Sequence, residues 1–114
     1  MNLLWTRENL VSYDWIKITL ISRSVDDGNV GSVKLWRRVS IKPVIEEIKA
    51  FLGNRDERWM VNAQDYSSRV QFAVESDVTA MMIRMLFDGE MIIEPLKLRP
   101  DQIRFKKKLG LKPD

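Results

Sequence analysis

Two stretches of this chain have the same form, Ser40 to Gly53 and Ser76 to Gly89, each running from a serine through an apolar-rich segment to a glycine. A serine hydroxyl accepts hydrogen bonds from the free amides of a first helical turn, and glycine enters the left-handed conformation that closes a last one. Each stretch therefore predicts one capped helix. Both are flanked by alternating or β-branched segments, so the chain reads as two β-α-β units in series.

The flanking segments fix the expected strands. In Trp15–Ser22, Ile16, Ile18 and Leu20 share one side and Lys17 and Thr19 the other, as in a strand covered on one face. Trp15 is read as covering the edge of the core. Asp26-Asp27-Gly28-Asn29 supplies turn residues, and Val33–Val39 alternates again, so residues 15–22 and 33–39 are expected to form a hairpin or, failing that, a long loop. Trp59–Ala63 and Arg69–Glu75 read as an antiparallel pair joined by a turn at 64–68. Glu90–Glu94 is the last expected strand, stopped by Pro95, which has no amide to donate.

This order predicts an α+β fold: a ferredoxin-like β-α-β-β-α-β sandwich with an antiparallel sheet and two helices on one face. An extra hairpin strand is expected at 33–39. Residues 1–99 are expected to form one domain, and 100–114 a basic C-terminal extension that docks and then frays. That scaffold hosts many unrelated functions, so function has to be argued from sites.

Composition narrows the function classes. With no Cys and no His among 114 residues, the chain lacks thiolate metal ligands, disulfides and the usual neutral-pH acid–base group. Asp26 to Asn29 lacks the later glutamate of a calcium loop, and no third carboxylate is placed beside Glu75 and Asp77. Neither a glycine-rich phosphate loop nor a serine-nucleophile signature occurs. The expectation is a protein that is not an enzyme, with no cofactor, no metal and no small-molecule substrate. No basic start followed by an apolar run opens the sequence, and Arg84 breaks the longest apolar window. A cytoplasmic protein with no membrane partner is expected.

Three candidate surfaces remain. Residues 69–75 share their place in the element order with the third strand of an RNA-recognition motif. Val70, however, stands where that motif has glycine, and the outward Gln71 and Ala73 cannot stack a base. The C-terminal segment is different. Residues 95–114 carry seven Lys and Arg against two Asp and Glu, whereas residues 42–94 carry six against ten. Arg104, Lys106, Lys107, Lys108 and Lys112 are therefore candidates for contacting nucleic-acid phosphates. In the second helix, positions placed at about 100° each put Val78, Met81, Met82, Met85 and Leu86 on a core stripe. Ala80, Ile83 and Phe87 then form a second apolar stripe on the other side. A helix apolar on both sides needs cover on both. Either Leu3, Leu4, Trp5 or the C-terminal extension supplies it, or Ala80, Ile83 and Phe87 form a protein interface with a second copy of the chain or with a larger complex.

The expected function is a small non-catalytic binding module acting through protein–protein contacts. In general character only, and on no motif, it resembles the accessory proteins of phages and mobile elements that bind and inhibit a host complex. The alternative is sequence-nonspecific nucleic-acid binding through the basic tail.

Overall fold

The computed structural model describes residues 1–62 and 69–111. Its elements in chain order are β1 (Asn2–Leu3), α1 (Arg7–Ser12), β2 (Ile16–Ile21), β3 (Ser24–Val30), β4 (Val33–Arg38), α2 (Lys42–Gly53), β5 (Trp59–Asn62), β6 (Arg69–Val74), α3 (Asp77–Leu86), β7 (Glu90–Pro95) and α4 (Pro100–Lys108). The fold is mixed α+β, with a five-stranded sheet ordered β1-β5-β6-β2-β7 and a separate two-stranded sheet of β3 and β4. Neighbours in the larger sheet run antiparallel except β1, which adds to the edge of β5 in parallel. The sheet is thus mixed where an antiparallel one was expected. Two residues, Asn2 and Leu3, make the difference.

Alternation along β2 and β6 decides the layers. Ile18 sits opposite Phe72 and Leu20 opposite Val70, and these four are fully buried against Ile45, Ile48 and Leu52 of α2 and Ala80 and Ile83 of α3. The residues between them point the other way. There Ala73 and Met60 form a second cluster with Leu10 and Trp15, flanked by Leu3, Trp5, Leu96 and Leu98. β2 is therefore covered on both faces rather than one: Thr19, on the supposedly open side, is buried as well.

The hairpin forms differently from expectation. Residues 33–38 pair with 24–30, while both edges of β2 are taken by β6 and β7. The reversal falls at Gly31 and Ser32, with Gly31 at φ +62°, as the first central residue of a type II′ turn requires. Asp26 to Asn29, read as a turn, lies inside β3 and holds a register shift, with Gly28 at φ +96°. Every residue of β4 is exposed, and only Val25 of β3 is half-buried. The two strands form an arm outside both apolar clusters. The Cα radius of gyration is accordingly 17.1 Å, against about 13 Å for a compact domain of this length.

The two helix stretches end differently from their prediction. Ser76 caps α3, its hydroxyl accepting from the Thr79 amide at 3.4 Å. At α2 the cap position is Ile41, and the Ser40 hydroxyl accepts from the Lys42 amide instead. Gly53 is the last residue of α2 without positive φ, and Gly89 lies beyond the end of α3 at φ +140°. Residues 100–108 form a helix within the expected docked extension, where no regular element was expected. Among the described residues no helix is long and apolar enough to cross a membrane.

Candidate protein-binding surface

The functional candidate is built on α3, and the structure turns that helix half a revolution from the expected orientation. Thr79, Ala80 and Ile83 face the sheet and are buried. Thr79 donates its hydroxyl hydrogen to the Glu57 carboxylate, which also takes the Arg55 guanidinium at 3.1 Å. Phe87 is half-buried, its ring edge-on to Phe51 with centroids 5.8 Å apart. An interface through Ala80, Ile83 and Phe87 is therefore corrected: these residues are packed within the chain. They fit there because small Thr79 and Ala80 let the helix approach the strands.

The expected core stripe is consequently the outer face. Val78, Met81, Met85 and Leu86 are 56–80% exposed, and Met82 is half-buried with its sulfur 3.5 Å from an Arg55 nitrogen. The N-terminal segment does not cover them. Leu3 and Trp5 pack on the opposite side of the sheet, and Leu4 is exposed. Asp77, Arg84 and Asp88 border the stripe, all exposed.

A second apolar surface lies on the arm. Val30, Val33, Leu35 and Trp36 are exposed along it. Lys34 bridges to Asp26 at 3.4 Å and lies 4.9 Å from the Trp36 ring, and Arg37 bridges to Asp27 at 3.5 Å. The root of the arm and the C-terminal end of α3 lie at the same end of the sheet. Ile21, just before the arm, is paired with Glu90, which follows α3.

The basic candidates are brought onto one helix. Within α4, Gln102 is buried, its side-chain oxygen accepting from the Arg99 amide at 2.9 Å, and Phe105 lies 3.9 Å below the Arg7 guanidinium. The first contact caps α4, and the second ties it to α1. Arg104, Lys107 and Lys108 are exposed, Lys106 is half-buried against a cleft, and Lys112 lies outside the described residues. That cleft, about 470 Å³, is lined by Leu10, Trp15, Leu96 and Ile103, with Asp14 and Lys106 at its polar side. A smaller one of about 330 Å³ gathers Arg7, Lys17, Lys97 and Arg99. Lys17 is bridged to Glu94 at 3.3 Å and Arg99 to Asp101 at 3.5 Å, which offsets half of that charge.

Arg58 reaches both Glu75 oxygens, at 2.8 and 2.9 Å, and lies 3.8 Å over the Tyr13 ring. The hydrogen bonds to Glu75 raise the guanidinium pKa above its ordinary range. Glu75 is thus engaged in a structural clamp between the start of β5 and the end of β6. Among the described residues no three acidic side chains gather as a metal site. No protein-family model matches the chain, and comparison with curated proteins and with solved structures finds no match.

Proposed function

We propose that the chain is a non-catalytic binding module that works through protein–protein contacts, docking by the outer face of α3. One observation carries this: the same helix has a complete core-facing stripe and, in addition, Val78, Met81, Met85 and Leu86 in solvent. Burying a large apolar side chain contributes about 1.5–3 kcal/mol, so a few of them decide an interface. Methionine suits such a face because its unbranched, polarizable side chain adapts to the contour it meets. The scaffold beneath is read as ferredoxin-like. β2-α2-β5-β6-α3-β7 follows the β-α-β-β-α-β order, with β1, α1, the arm and α4 as additions.

A photo-crosslinking residue at Met85 should capture a discrete protein when irradiated in cells, and the same residue at Glu46, on the exposed side of α2, should not. Equal capture at both positions, or none at Met85, removes the reading. A captured host complex would favour the narrower role of an accessory inhibitor. A second reading, sequence-nonspecific nucleic-acid binding, is supported by the exposed Arg104, Lys107 and Lys108 on α4, and a nuclease-sensitive adduct would favour it.

A further inference from the structure

The arm packs into neither apolar cluster of its own chain. An isolated two-stranded ribbon is marginal in water and needs a surface to lie on, yet no residue of 24–38 belongs to either apolar cluster. We propose that the occupant of the α3 face is a second copy of this chain, and that each protomer's arm lies along the outer face of the other's α3. The proposal rests on the reading of that face as a docking surface.

Three features of the two surfaces fit one another. The first is chemical: Trp36, on the face of β4 that it shares with Lys34 and Arg38, would meet Met81 and Met85, and thioether sulfur makes favourable contacts with aromatic rings. The second is electrostatic. The arm and its root carry Arg23, Lys34, Arg37 and Arg38 against Asp26 and Asp27, so two cations are left over. The rim of α3 carries Asp77, Asp88 and the following Glu90 against Arg84 alone. The third is geometric. Seven residues of β3 reach about 24 Å at about 3.4 Å each, and ten residues of α3 span about 15 Å at 1.5 Å each.

The arm is therefore long enough to cover the helix from end to end. Its root and the C-terminal end of α3 share one end of the sheet. Two copies meeting at those ends about a two-fold axis run each arm outward along the other's helix. Such an exchange is self-complementary and closes at two subunits.

Light scattering during gel filtration of the full chain tests this. The wild type should run at twice its 13.4 kDa mass, and Trp36→Glu and Met85→Glu should each run as monomers with melting midpoints within a few degrees of wild type. Mixing the two variants should restore a dimer, weaker than wild type, because the intact arm of one meets the intact helix of the other. If Trp36→Glu lowers the midpoint, Arg38→Glu, on the same face of the arm, replaces it. A monomeric wild type at high micromolar concentration overturns the exchange, as does a dimer that survives either variant or a mixture that stays monomeric. A monomer whose Met85 crosslinks to a different protein overturns the exchange alone; a monomer with no such adduct overturns the docking face too.

Discussion

Ile83→Ala and Met85→Ala, two positions apart on α3, should differ in cost by a factor that only their facing explains. Ile83 is fully buried between α3 and the sheet, whereas Met85 is 80% exposed. Truncating the isoleucine removes three carbons from the core at about 0.8 kcal/mol each, and the cavity left behind adds to that. Large-to-alanine changes of this kind cost about 2–5 kcal/mol. Out of a total of about 5–15 kcal/mol, that is a substantial share. The methionine leaves no cavity within its own chain, and alanine is at least as good a helix former, so Met85→Ala, compared with Ile83→Ala in the Trp36→Glu background where no second copy covers the helix, should stay within about 0.5 kcal/mol of its parent. With a urea dependence of about 1–3 kcal/mol per molar, the two unfolding midpoints should separate by at least about 0.5 M. Urea titrations followed by tryptophan fluorescence measure this directly. Equal midpoints, or a larger loss from Met85→Ala, would mean that the methionine stripe is the buried one and would refute the orientation of α3.

Gly89→Ala should destabilise by about 1–3 kcal/mol, because a Cβ there would meet Leu20 Cδ1 at 2.9 Å on a backbone with φ +140°; thermal melts check it, and an unchanged midpoint contradicts the close approach of β7 to β2. Any nucleic-acid binding by α4 should be weak and indifferent to sequence. If Arg104, Lys107 and Lys108 each meet a phosphate, the log–log salt slope on duplex DNA should be about −2.7. The triple change to glutamine should abolish both binding and slope in fluorescence anisotropy, and affinity unchanged in that variant would place binding elsewhere.

The strands were legible where one local signal decided them. Ile16, Ile18 and Leu20 and Val70, Phe72 and Val74 alternate in sequence and line one face in the fold, since a half-buried strand has to place every second residue inward. Pairing is another matter. The alternation of Val33 to Arg38 says that a strand forms, not which neighbour takes it. Its partner is the adjacent β3, because β6 and β7 occupy both edges of β2. Both Gly28 and Gly31 offered a reversal, and either satisfies turn chemistry. Gly31 makes the turn, and Gly28 sits at the bulge that the extra residue requires. α4 was hidden by its run of lysines. Pro100 in its first turn and Gln102 at its third position were the local signs of a start, and the packing of Phe105 under Arg7 depends on the distant α1.

The orientation of α3 could not be read for a more general reason. Periodicity locates a core face by contrast, and this helix has an apolar stripe on each side with Asp77, Arg84 and Asp88 between them. Counting large apolar residues then favours the methionine side, because flexible Met81, Met85 and Leu86 outweigh Ala80 and Ile83. Packing against a sheet selects differently: it rewards close approach, which small side chains permit, and a polar group at the contact is acceptable when a partner is at hand. Thr79 meets both conditions, being small and donating to Glu57 from the β5 side of the sheet. A threonine and an alanine beside an isoleucine were thus the sequence sign of the core stripe. The methionines opposite them are left in solvent, so the stripe assigned to the core is the exposed face on which the proposed docking rests.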